Sequence, residues 1–360
     1  MTNVLMILKT QSLKNDQRIL KELASFKKLG ANVDVFVAKD CDLSQSQFNY
    51  TLYEARIFGG AAPSKMIVRI IGILHFYIKA MSFILYKDYS VVWVCDPIMF
   101  LLVLALKKIK PELKVVWDHH ELPPSWFLES KYLTNIFKIA YRKTDIVIHA
   151  NKYRQDFLEK HLNVKARKSY IISNYPDANN TDEAELTHEA ECWIKNAGSF
   201  VYLQNSLQEN RYGFETITAL LESGYKVFHA GKINKVFLDK YKLYSNDLYL
   251  SGYLNINQIN RVLNKCDFTV IFYKQNSLNQ IYCDANRLYQ AMSLGVPVII
   301  GNNPTLVGTT SDYNDVLVLD NINRHSIKEI VNEVGFKQLI RKPEVLKWSE
   351  YDDFFQEILI

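Results

Sequence analysis

One pattern constrains this chain above all others: short apolar runs alternate with stretches of helical period, and the whole series occurs twice. Residues 4–8 form a continuous apolar run. Residues 16–29 then carry Ile19, Leu20, Leu23, Phe26 and Leu29 at helical spacing, one apolar face that stops at Gly30. Runs of the first type recur at 33–37, 91–94, 115–118 and 146–150, with amphipathic stretches between them. A run that is apolar throughout is a strand covered on both faces, and parallel neighbours need helical crossovers. The pattern therefore predicts an α/β fold with a doubly wound parallel sheet.

The series restarts with strands expected at 200–203, 226–230, 248–250, 268–272 and 296–300 and a helix at 214–221. Between the two series lies 173–198, which opens Ser173-Asn174-Tyr175-Pro176, continues polar and acidic, and reads as a hinge. The expected organisation is two tandem Rossmann-like domains, 1–172 and 173–341, facing a central cleft. Residues 342–360 place Leu346, Trp348, Phe354 and Ile358 as apolar points of a last helix, which either caps the second domain or crosses back to the first.

At 360 residues the chain is long enough for two such cores. With 48% hydrophobic and 22% charged residues it falls in the globular range, which excludes disordered and fibrous classes. Five scattered cysteines without a Cys-x-x-Cys pair argue against a disulfide scaffold or a zinc ribbon and fit a reduced, cytoplasmic setting. Residues 1–8 lack the basic start and cleavage site of a secretory leader. The net charge of +5 is unevenly divided. Residues 1–172 carry 26 Lys and Arg against 15 Asp and Glu, a surplus of 11, and the remainder carries a deficit of 6. The basic half suits an anionic surface or an anionic acceptor, and no nucleic-acid partner is expected.

In open α/β sheets ligands bind beyond the carboxyl ends of strands, so the strand-to-helix loops are where chemistry is to be sought. Lys9-Thr10-Gln11-Ser12 follows the first strand without a Gly-x-Gly-x-x-Gly, and no Gly-x-x-x-x-Gly-Lys-Ser/Thr occurs, which disfavours NAD dehydrogenases and P-loop NTPases. Asp118-His119-His120-Glu121 ends a strand, and two imidazoles between two carboxylates suit acid–base work, metal binding or a hydrogen-bonded loop. No third metal ligand lies nearby in sequence. In the second half a helix enters near Asp284 and is closed by Gly295. Its start offers unpaired N–H groups suited to a diphosphate, with Asn286 and Arg287 in the first turn and Gln290 one turn on, within reach of a sugar hydroxyl.

The segment from Asn286 to Ile299 resembles the Pro-Asn-Lys-Leu-Phe-Glu-Tyr-Met-Ala-x-Gly-x-Pro-Val signature of family 4-like glycosyltransferases with the GT-B fold. Three further segments agree in order. Asn15-Asp16-Gln17-Arg18-Ile19-Leu20-Lys21-Glu22 resembles the family's Asp-x-Arg-Val-x-x-Glu helix opening. Trp117-Asp118-His119-His120-Glu121 is similar to its Tyr-Asp-x-His-Glu strand end, and Ile172-Ser173-Asn174-Tyr175-Pro176 to its Val-x-Asn-x-Pro link.

The resemblance implies retaining transfer of a sugar from a nucleotide sugar, bound mostly by the second domain, to a glycan or lipid-linked acceptor bound mostly by the first. It implies no metal, no other cofactor and no protein nucleophile, and a role in building a surface polysaccharide. Carried over by position, His120 contacts the donor sugar within a catalytic group that includes Asp118 and Glu121, and Gln290 contacts the ribose. Arg211 stands for the phosphate-binding Lys, in Asn205-Ser206-Leu207-Gln208-Glu209-Asn210-Arg211. The family's two glutamates, eight positions apart, fall on Tyr282 and Gln290, and its Gly-Arg on Asn205-Ser206. Arg287 or Lys232 then takes over the missing charge, or the chain does not turn over. The alternatives are a GT-B nucleotide-sugar 2-epimerase, whose acid–base groups Asp118–Glu121 resemble, and a non-catalytic GT-B partner protein.

The longest apolar stretch, Met66–Tyr86, carries Arg69, His75 and Lys79 along its length. That charge speaks against a membrane span and for a helix that either packs on the first sheet or lies peripherally on an anionic inner membrane face.

Overall fold

In the computed structural model the described residues are 2–10, 13, 16–39, 50–60, 64–177, 184–204, 211–232, 239, 241, 244, 246–313, 315–320, 325–326, 328–329 and 346–360. Gln11, Ser12, Asn15 and residues 205–210 lie outside them, as do Cys41 and 342–345. The chain divides into two compact units, Met1–Ser173 with Trp348–Ile360, and Asn174–Lys347.

The first unit runs β1 (Asn3–Ile7), α1 (Gln17–Lys28), β2 (Asn32–Ala38), β3 (Thr51–Ala55), α2 (Met66–Tyr86), β4 (Val91–Cys95) and α3 (Phe100–Ile109). It continues through β5 (Lys114–His119), α4 (Ser125–Glu129), α5 (Lys131–Lys143), β6 (Ile146–His149), α6 (Lys152–Leu162) and β7 (Ser169–Ile171). The strands pair in parallel in the order β3-β2-β1-β4-β5-β6-β7, as the alternation predicts. α1 begins where Asp16 accepts from the Ile19 N–H, and its apolar face lays Ile19, Leu23 and Phe26 on the sheet.

The second unit runs α7 (His188–Ala197), β8 (Val201–Gln204), α8 (Gly213–Glu222), β9 (Val227–Ala230), β10 (Leu248–Gly252), α9 (Ile256–Lys265) and β11 (Phe268–Ile271). It ends with α10 (Leu278–Ile281), α11 (Asn286–Ser293), β12 (Val298–Gly301), α12 (Pro304–Thr309) and β13 (Val316–Leu319). Its sheet is parallel in the order β10-β9-β8-β11-β12-β13. Gly295, at φ 65°, gives α11 its left-handed exit into β12.

The last helix, α13 (Asp352–Leu359), belongs to the first unit. Phe355 packs edge-on against Phe26, with ring centroids 5.3 Å apart, and stacks on Trp93 at 5.8 Å. Trp348 donates its indole N–H to Ser25 Oγ at 2.9 Å. Three strands escaped the sequence reading, β3, β7 and β13, and each is an outermost strand of its sheet. An outermost strand is wetted along one side. β3 and β13 accordingly keep mixed burial and β7 is half-buried throughout. β3 and β7 lack the continuous apolar run that marks a central strand, whereas β13 has one in Val316–Leu319 that was passed over.

Candidate functional site

In the first unit the strand order reverses direction between β1 and β4, where diverging loops leave a crevice at the strands' carboxyl ends. A pocket of about 540 Å³ occupies it, lined by Lys9 and Thr10 after β1, Asp96, Pro97 and Ile98 after β4, and 120–124 after β5, with Asp16 and Phe127. His120 and Glu121, two of the expected catalytic residues, line this pocket.

The adjacent histidines have opposite fates because successive strand residues face opposite sides. His119 turns inward, fully buried, against Trp117 and His149 with ring centroids 4.3 and 5.2 Å away. Burial first, then the neighbouring His149, push its pKa well below the ordinary value and keep it neutral. His120 turns to the pocket, on the side of Asp118.

Asp118 is fully buried and is gripped from α1. Arg18 donates from Nε to Oδ2 at 3.0 Å and from Nη2 to Oδ1 at 2.8 Å, while its Nη1 donates to the Ile172 carbonyl at 2.6 Å. His120 Nε2 lies 2.8 Å from Asp118 Oδ2. Burial alone raises a carboxyl's pKa, but Arg18 and His120 outweigh it and hold Asp118 well below the usual range. Burial likewise disfavours a charged imidazole. Asp118, with help from Asp96, reverses that and lifts His120 to about 10. His120 is therefore an imidazolium at neutral pH, a hydrogen-bond donor and a fixed positive charge but not a base. Glu22, one turn beyond Arg18, is driven well above the usual range by burial and by Asp118.

Glu22, Cys95 and His120 bring one ligand-type atom each within 4.8 Å of one another. Arg18 Nε already sits 3.1 Å from Glu22 Oε1, and the imidazolium has no lone pair to give, so an ion-pair network fills this space. Asp96 adds a second carboxylate, with Oδ1 3.9 Å from His120 Nδ1. Its backbone stands at φ 75°, ψ 143°, a conformation L residues rarely adopt, and burial raises its carboxyl to about 6.

Arg18, Glu22 and Asp96 were not among the expected site residues. Arg18 and Glu22 lie in the very segment that resembles the family's helix opening. Asp96 has the plainer signal of an Asp-Pro pair at a strand end.

In the second unit the order reverses between β8 and β11. Arg287, in the first turn of α11, spans both ends: Nη1 donates to the Gln204 carbonyl at 2.7 Å and Nη2 to the Tyr273 hydroxyl at 3.1 Å. Its Cζ lies 5.5 Å from the Tyr273 ring centroid, and that of Arg211 lies 5.3 Å from the same ring. Burial and the charge of Arg287 both depress the Arg211 pKa. No side chain caps the start of α11, where Ala285 is the N-cap. Asn286 and Lys232 are exposed and Tyr282 is half-buried. The close group is built by Gln204, Arg211, Tyr273 and Arg287.

Gln290 requires correction. It is buried, 4% exposed, and its amide donates to Asn260 Oδ1 on α9, so it holds two helices together and does not face a ribose. Asp284 is equally committed, accepting from Asn174 N and Nδ2 at 3.2 and 2.9 Å and from the Tyr289 hydroxyl at 2.7 Å.

Residues 17–179 match the model of the Glycosyltransferase Family 4 family. No curated protein matches the chain in sequence. Among solved structures, Anabaena Alr3699/HepE in complex with UDP-glucose superposes with a TM-score of 0.68 at 12% identity, over 100% of this chain and 99% of that one. A glycosyltransferase from Rickettsia africae gives 0.66 at 14% identity, over 99% and 98% of the two chains. UDP-GlcNAc 2-epimerase from Methanocaldococcus jannaschii gives 0.64 at 12% identity, over 100% and 99%. The two parallel-sheet units therefore have the GT-B architecture of these structures, and the match to the Glycosyltransferase Family 4 model spans residues 17–179, under half of the chain.

Proposed function

We propose that this chain transfers a sugar, with retention and without a metal, from a nucleotide sugar held by the second unit to a glycan or lipid-linked acceptor held by the first. The reaction belongs to the assembly of a surface polysaccharide at the cytoplasmic face. The observation that carries the reading is the pair of guanidinium groups, Arg211 and Arg287, converging on Tyr273 at the carboxyl ends of β8 and β11. Two like charges brought to one ring beside an uncapped helix start raise each other's cost, and a diphosphate between them removes it. The same groups hold the charge that gathers on the diphosphate as the glycosidic bond breaks. In the 540 Å³ pocket, the His120 imidazolium donates to a sugar hydroxyl.

A uridine nucleotide is the first donor to test, because Anabaena Alr3699/HepE is seen with UDP-glucose. The purified chain is expected to melt at higher temperature with UDP than with CMP, and to release UDP from a UDP-sugar only when acceptor is supplied. Absence of stabilisation by any nucleotide diphosphate overturns the reading in favour of a non-catalytic partner. The 2-epimerase likeness supplies the second reading. Interconversion of UDP-sugars without acceptor selects it.

A further inference from the structure

Helix α2 has two apolar faces and the protein uses one. Gly72, Phe76, Tyr77, Ala80 and Ile84 are buried on the sheet side, where Phe76 and Phe83 lie 5.4 and 5.3 Å from the ring of Phe36 in β2. Opposite them Ile67, Ile70, Ile71, Leu74, Ile78 and Leu85 are each between 45% and 73% exposed. With 3.6 residues per turn these six fall on one stripe along a helix about 30 Å long. A water-soluble surface rarely leaves so continuous a stripe bare.

By length and composition α2 could cross a bilayer. Its inner face is fixed to the sheet, however, so the helix lies along the unit and its outer stripe can only meet an interface. Charge selects the occupant. The helix contains no Asp or Glu, Lys79 is exposed on it, Lys65 is exposed at its entry, and residues 1–172 carry the chain's surplus of cations. A second copy of the same face would set cation against cation, whereas an anionic lipid surface offers acyl chains for the stripe and phosphates for the lysines.

We propose that α2 docks the first unit on an anionic membrane, with Ile67, Ile70, Leu74 and Ile78 in the boundary between headgroups and acyl chains and Lys65 and Lys79 at the lipid phosphates. Tyr77, on the inner face of the same helix, donates its hydroxyl to the Ile98 carbonyl in the wall of the 540 Å³ pocket. If the transfer reading holds, on which this last step alone rests, the docked helix brings that pocket to the membrane and the acceptor is lipid-borne.

The test uses the full chain and sedimentation with vesicles of phosphatidylcholine, alone or with about a third phosphatidylglycerol, at low and high salt. Expected are binding at least ~10-fold stronger to the anionic vesicles, loss of most of it at high salt, and loss of it in the Ile70→Asp/Ile78→Asp variant with an unchanged circular dichroism spectrum. Lys79→Gln, which leaves the stripe intact, is expected to weaken anionic binding several-fold. Equal binding to both vesicle types, or none, overturns the proposal. So does a dimer in gel filtration that the double aspartate variant splits, which assigns the face to a second copy. No nucleotide or acceptor enters the assay, so its failure leaves the transfer reading standing, and failure of the nucleotide assay leaves the membrane result standing.

Discussion

Arg18 and Asp118 stand 100 positions apart and meet in a two-pronged ion pair, Nε to Oδ2 at 3.0 Å and Nη2 to Oδ1 at 2.8 Å, with both side chains buried. The pair ties α1 to the end of β5 and, through the third guanidinium bond, to the Ile172 carbonyl at the close of the first unit. Removing Arg18 leaves the buried Asp118 with the His120 imidazolium alone to offset its charge away from water. Arg18→Met is therefore expected to destabilise the protein by about 3–5 kcal/mol in urea unfolding. Arg18→Lys, which restores the charge without the fork, is expected to recover only part of it. A loss under about 1 kcal/mol in the Met variant would mean that the His120 imidazolium alone holds Asp118.

The same carboxylate sets the state of His120. With its pKa lifted to about 10, the ring is expected to stay protonated, and its NMR shifts to stay flat, between pH 6 and 8. Asp118→Asn removes the main opposing charge and leaves the burial, so the titration is expected to fall below the ordinary histidine value near 6.5. A wild-type ring that titrates near 6.5 refutes the imidazolium assignment.

His149 couples stability to pH in the opposite sense. Burial lowers it to about 3, below the unfolded value near 6.5, so the native state prefers the neutral ring. That preference is complete above pH 6.5 and is lost as pH falls from 6.5 toward 3. His149→Gln, whose amide can donate to or accept from the Tyr141 hydroxyl that lies 2.9 Å from His149 Nε2, removes this contribution. Relative to the variant, the wild type is expected to lose roughly 1.4 kcal/mol per pH unit across that window, read from urea midpoints at a series of pH values. A difference between the two proteins that does not change with pH rules the coupling out.

The central strands and both sheets were legible because each central strand is apolar on both faces, which an unbroken run of Val, Ile and Phe records directly. The outermost strands β3 and β7 leave no such record, while β13 carries a short apolar run, Val316–Leu319, that was passed over. His120 was legible from its place at a strand end. Its charge state was not, because it depends on the carboxylates of Asp118 and Asp96, which only the fold brings against the buried ring. Gln290 shows the opposite failure. Its position in a helix suggested a ribose contact, yet on α11 the residue one turn past Asn286 points inward to Asn260. A linear sequence does not say which side of a short amphipathic helix carries a polar residue into the core.

That distinction can be measured in the second unit. Arg287→Ala and Arg211→Ala are each expected to weaken UDP binding by about 1.5–3 kcal/mol in calorimetry, the scale of a charged hydrogen bond. Gln290→Ala is expected to lower stability by about 1–3 kcal/mol through the buried amide it strands, with UDP affinity unchanged in the folded protein. A nucleotide defect in Gln290→Ala without a stability loss would return that side chain to the ribose.

Asp96 offers a test in which stability and activity move in opposite directions. Its left-handed backbone at φ 75° costs an L residue on the order of 1–3 kcal/mol, and glycine adopts the same conformation freely. The Asp96 N–H continues the pairing to the Asp118 carbonyl at 2.8 Å and its own carbonyl accepts from Trp117 Nε1 at 2.9 Å, and the conformation carries the carboxylate to within 3.9 Å of His120 Nδ1 at the pocket. Asp96→Gly is therefore expected to stabilise the protein by about 1 kcal/mol while lowering transfer. Asp96→Asn, which keeps the strain and loses the charge, is expected to lower transfer without the gain in stability. If both variants transfer at the wild-type rate, the strained carboxylate has no part in the reaction and the backbone conformation is a packing compromise at the strand end.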